Sequence, residues 1–60
     1  LMSEIWKIEW HCLKADNTAV GWHENRWNAD KQAKSDPSIV EIVKVIYYHS
    51  DIESVWKRAS

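Results

Sequence analysis

The sequence predicts a small α+β fold with the element order β-β-α-β-α, built on an antiparallel-rich sheet. Three observations lead there. The run Ser38–Tyr48, SIVEIVKVIYY, holds six β-branched aliphatics and two tyrosines, interrupted only by Glu41 and Lys44. Residues Trp6 to Cys12 alternate apolar and polar. Between these two stretches, residues 25–35 contain no β-branched side chain at all. Sixty residues make one domain, 1–60, near the lower size at which a single core supports folding.

The first element follows from alternation. Trp6, Ile8, Trp10 and Cys12 share one side of a strand, with Lys7, Glu9 and His11 on the other. The strand is expected over about Glu4 to Leu13. Leu1 precedes Met2, so Met2 reads as the natural start. Lys14 to Thr18 supplies turn chemistry, because Asp16 and Asn17 tolerate left-handed backbone and bond their own main chain. A return strand over Ala19 to Glu24 completes a hairpin. Placing Trp10 opposite Trp22, and Cys12 opposite Val20, would gather the hairpin's apolar residues on one face. Gly21 marks the return strand as the weaker, edge-like one, with a bulge or a close backbone approach.

A short helix is expected over Asn25 to Ser35. Its apolar stripe is thin, Ala29 and Ala33 with Trp27 beside them, so it must lie close on the sheet. Asp36-Pro37 ends it, since proline biases the preceding residue toward extended backbone. The strand Ser38–Tyr48 follows. A helical reading of the same stretch exists, with Ile39, Ile42, Val43 and Ile46 at helical spacing, but β-branching favours the pleat. In the order 2-1-3, which a right-handed crossover gives, this strand is an edge and the hairpin's first strand is central. For the last segment, Ser50 to Glu53 forms a capping-box pattern ahead of Ile52, Val55, Trp56 and Ala59, so residues 51–59 read as a helix. A fourth strand is the alternative. The buried set is expected to be Trp6, Ile8, Trp10, Val20, Ala29, Ala33, Val43 and Val45, with Trp22 partly covered.

Eight Lys and Arg against nine Asp and Glu give a net charge of −1, which argues against a protein devoted to duplex DNA. A lone cysteine excludes an intrachain disulfide and, with no signal-like start, suggests the cytoplasm. No apolar run is long enough to span a bilayer, so no membrane role is expected. His11, Cys12, His23 and His49 lack the spacing that closes a metal site, and His11 and Cys12 point to opposite faces of their strand. Cys12 reads as a small core hydrophobe. No catalytic constellation, metal or cofactor is expected, and no motif points to a family.

The oddity is aromatic usage: five Trp, two Tyr and no Phe. Such side chains suit half-exposed surfaces and interfaces. The expected function is therefore a non-enzymatic module that binds another protein or itself, a homodimer through strand 38–48. Its interface would use Ile39, Val40, Ile42, Lys44, Ile46, Tyr48 and Trp56, two strands pairing antiparallel with Glu41 near Lys44 of the other copy. The alternative is single-stranded nucleic acid held by tryptophans beside cations: Trp6, Lys7, Trp22, Arg26, Trp27, Lys57 and Arg58.

Overall fold

The computed structural model describes residues 7–47 and 51–59. Trp6, Tyr48 and His49, each named above, lie outside them. Four strands and one helix follow in the order β1 (Ile8–Lys14), β2 (Ala19–His23), α1 (Arg26–Ser35), β3 (Ile39–Ile46) and β4 (Asp51–Lys57). They form one four-stranded antiparallel sheet, ordered β2-β1-β3-β4, with α1 packed on β1, β2 and β3.

The turn and the helix form for the expected local reasons. Asn17 adopts φ 70°, Asn17 N donates to Lys14 O, and Thr18 N donates to Asp16 Oδ1 at 3.0 Å, closing the β1–β2 hairpin. Asn25 caps α1, its Oδ1 accepting from Asn28 N at 2.9 Å. At the other end Asp36 adopts extended backbone before Pro37, and its carboxylate accepts from both Ser38 N and Ser38 Oγ. The crossover from β2 through α1 carries the chain past β1, so β1 is central and β3 lies beside it, as the order 2-1-3 requires.

The C-terminal segment corrects the sequence reading: residues 51–57 are a strand, not a helix. A single helix of eight or nine residues is marginal in water. Paired with β3, the same segment satisfies the backbone groups of an eight-residue β-branched strand and still brings Val55 and Trp56 against the core. It follows that β3 is not an edge. Its backbone is hydrogen-bonded to β1 on one side and β4 on the other, so it offers no free ladder to a second copy.

The hairpin register is the second correction. Trp10 lies opposite His23, His11 opposite Trp22 and Cys12 opposite Gly21. This is one residue away from the predicted pairing, and a one-residue slip exchanges the faces of a strand. Val20, expected to be buried, and Trp22, expected to be partly covered, are both exposed. The reason is α1, which crosses so close to β2 that a Cβ at position 21 would overlap the Gln32 carboxamide. Glycine leaves room for the Gln32 carboxamide there, and the register that puts Gly21 inward turns its neighbours outward.

Bulges shape the core. The pairings Leu13 with Glu41 and Lys14 with Ile39 leave Val40 as an extra residue, which lets Ile39 and Ile42 both point beneath α1. Likewise Ile42 pairs with Trp56 and Val43 with Ser54, leaving Val55 as an extra residue in β4. The resulting core is Cys12, Ala29, Ala33, Ile39 and Ile42, with Trp10, Val55 and Trp56 packed on it. Ala29, Ala33 and Val43 are buried as expected, whereas Ile8, Trp10 and Val45 are half-buried. Strict alternation would place Ile39 on the face of Val43; the bulge moves it to the face of Ile42.

Candidate functional site

Among the described residues one helix covers one face of the sheet, and no element forms a second layer on the other. Across that open face the register sets three rows. The first runs Ala19, Leu13, Glu41, Lys57; the second Trp22, His11, Val43, Ser54; the third Glu9, Val45, Ile52. Trp22 is 61% exposed and Ile52 70%, at opposite margins. Leu13 and Val45 lie half-buried between them. An antiparallel sheet with one solvated face normally shows polar residues there. This face instead carries an apolar band.

A polar cluster sits within the band. The Tyr47 hydroxyl donates to Glu9 Oε1 at 2.7 Å, His11 Nε2 donates to the same oxygen at 3.0 Å, and Lys7 Nζ stands 3.5 Å from Oε2. Glu9 is buried, and these donors, Tyr47 first, hold its carboxyl below its ordinary pKa. The same bond raises the Tyr47 pKa, because ionising the hydroxyl would remove the donor and face a carboxylate. Lys7, Glu9 and His11 were legible as one polar strand face. Alternation along the same run puts Tyr47 on the face of Val43 and Val45, but the adjacency of the two strands was needed to join them.

On the helical side, α1 does not reach over β4, and the gap is a cleft of about 260 Å³. Its floor is Trp56 and Ala33, and its rim is Arg26, Asp30, Lys34 and Arg58. Arg58 Nε donates to Ile39 O at 2.9 Å and a terminal guanidinium nitrogen donates to Ala33 O at 2.7 Å, with the guanidinium 5.0 Å from the Trp56 ring centroid. Arg26 donates to Val55 O at 3.2 Å and stands 3.6 Å from Asp30. Asp30 and Lys34 were not singled out from sequence, although their spacing from Arg26 puts them on one face of the helix.

The predicted interface residues are dispersed. Ile39 and Ile42 are wholly buried under α1 and belong to the chain's own core. Val40, Lys44 and Ile46 are half-buried, Lys44 Nζ lying 6.0 Å from the Trp10 ring centroid, and Trp56 floors the cleft. Tyr48 lies outside the described residues. The predicted nucleic-acid residues divide between faces: Lys7, Trp22 and Lys57 go with the open face, while Arg26, Trp27 and Arg58 go with the helical side. Trp6 again lies outside the described residues.

Cys12 is wholly buried, its thiol 3.6 Å from Ala29 O, and burial pushes its pKa up, which favours the thiol over the thiolate. Among the described residues no group of three or more His, Cys, Asp or Glu could hold a metal ion, and no helix is long and apolar enough to cross a membrane. No protein-family model, curated protein or solved structure matches the chain.

Proposed function

We propose that this chain is a small non-enzymatic protein-binding module that self-associates, and that β3 takes part through its face instead of its edge. The observation that carries the reading is the sheet face that no described element covers, with Trp22 and Ile52 both more than half exposed beside Leu13, Val43 and Val45. Exposed apolar surface of this kind marks interaction sites. A second copy is the occupant its shape favours. With a two-fold axis along the strands, between β1 and β3, β2 of one copy stacks over β4 of the other. The bulk of Trp22 then meets the small Ser54 and the side of Ile52, while Leu13 and His11 face Glu41 and Val43. A standard interface takes roughly 800 Å² from each partner, about a fifth of this chain's 4431 Å² surface, which one sheet face can supply.

Edge pairing is disfavoured at both margins. β2 is short and irregular, and β4 carries Glu53, the bulge at Val55 and the Arg26 contact to its carbonyl. Sedimentation equilibrium tests the reading. At about 100 μM the wild-type chain is expected to be dimeric. Ile52→Lys, at an exposed site, is expected to give a folded monomer. A wild-type chain that stays monomeric at that concentration would contradict it.

A further inference from the structure

The cleft between α1 and β4 lies on the side away from the open face and asks a separate question. Two of its three cations, Arg26 and Arg58, are held in place before any ligand arrives. Arg26 and Arg58 each donate to main-chain carbonyls, which orient a guanidinium without neutralising it, and each keeps further N–H donors. Asp30 is the single carboxylate on the rim, against Arg26, Lys34 and Arg58. Among the described residues the close ion pairs include Arg26 with Asp30 and none to Lys34 or Arg58. In a chain of net charge −1, this is a local excess of positive charge in a concave site.

Beside the cleft stands Trp27. It is 71% exposed, one turn before Lys31 and two turns before Lys34 on the same helix surface. The core cluster does not use it. An indole left in water beside a row of cations matches what a single strand requires: a platform for a base, and positive charge for the backbone that is blind to sequence. An acidic peptide would use the cations and leave the indole idle. We infer that the Trp27 surface and the Arg26–Lys34–Arg58 cleft together form a binding site for a short stretch of single-stranded nucleic acid, a base stacking on Trp27 and phosphates seated at the cleft.

The test is fluorescence anisotropy with a labelled twelve-nucleotide oligothymidine. Binding is expected at about 20 mM salt, weakening as salt rises with a log–log slope of about −0.7 for each phosphate neutralised. Trp27→Ala should weaken it about tenfold or more, as loss of one stacked base does. Lys34→Glu should weaken it and flatten the salt slope. Both positions are exposed, so both variants keep the fold, and circular dichroism checks that they do. Val20→Ala, an exposed position outside both the cleft and the rows of the open face, should leave binding unchanged. Absence of binding at low salt would overturn the site. So would equal loss in Val20→Ala, or equal competition by an oligoglutamate of matching charge, which would make the cleft a general anion trap.

Discussion

Gln32 of α1 occupies the space directly over Gly21 of β2, its carboxamide accepting from His23 Nε2 at 2.7 Å and donating to Val20 O at 3.3 Å. This one side chain reads the register of the hairpin, because it meets Val20, Gly21 and His23 of β2 from above. Gly21→Ala must displace it. The obstructing atoms are the far end of a flexible side chain, so no backbone has to move, and the loss is two hydrogen bonds at about 1 kcal/mol each at most. Urea denaturation should show a loss of about 1–2 kcal/mol. Gln32→Ala combined with Gly21→Ala should cost little more than either alone, and full additivity would contradict the contact.

Ile42 lies wholly buried between α1 and the sheet, opposite Cys12 and Trp56. Ile42→Ala is expected to cost about 2–5 kcal/mol. A chain of this length has roughly 3–9 kcal/mol in all, so the variant should be largely unfolded or nearly so by urea titration. Ile52→Ala, 70% exposed, should stay within about 0.5 kcal/mol when measured dilute. Equal effects at the two sites would contradict the assignment of faces.

Arg58 joins the end of β4 to Ile39 O of β3 and Ala33 O in the last turn of α1. Arg58→Ala removes both charge-assisted bonds and the guanidinium over Trp56, and should cost about 1–3 kcal/mol. Hydrogen exchange should quicken first at the amides of β4. Faster exchange in β2 instead would contradict the clamp.

Acid should destabilise the fold through a defined set of carboxylates. Glu9, Asp16 and Asp36 all have folded pKa values below their ordinary ones, by hydrogen bonds from Tyr47 and His11, from Thr18, and from Ser38. Groups depressed in the folded state bind protons more readily when unfolded. Their contribution is therefore present above the ordinary carboxylate range and is lost as pH falls through the depressed values. Tyr47 has the opposite sign: its raised pKa stabilises the fold below the ordinary tyrosine value, and the contribution is lost as pH rises through the raised one. Tyr47→Phe removes the leading donor to Glu9, so the Glu9 carboxyl should titrate higher, nearer its ordinary value, by carboxyl-carbon NMR. An unmoved Glu9 would contradict the bond.

Elements governed by local chemistry were legible in the sequence. Asp16-Asn17 made the hairpin turn, Asn25 and Asp36-Pro37 bounded the helix, and β-branching fixed β3, since each depends on neighbours along the chain. What escaped depends on neighbours in space. The hairpin register is set by Gln32 reaching from another element to Gly21, whereas the alternation of β1 and β2 by itself favours the register one residue away. The bulge at Val40 has no local signature, yet it decides that Ile39 joins Ile42 in the core. Residues 51–57 satisfy a helix pattern and a strand pattern at once, and the open edge of β3 selects the strand. For the same reason the candidate surfaces were legible only as ingredients: the tryptophans and cations were visible, but their division between two faces required the sheet order.

We propose that the open sheet face, marked by Trp22, is where the chain meets its own kind. Fluorotryptophan incorporation followed by fluorine NMR tests it most directly, with the five resonances assigned by single Trp→Phe replacements. As concentration rises through about 100 μM, the Trp22 resonance should shift while that of Trp27, on the outer surface of α1, stays in place. A Trp22 resonance that does not move while the chain demonstrably dimerises would place the interface elsewhere and contradict the account.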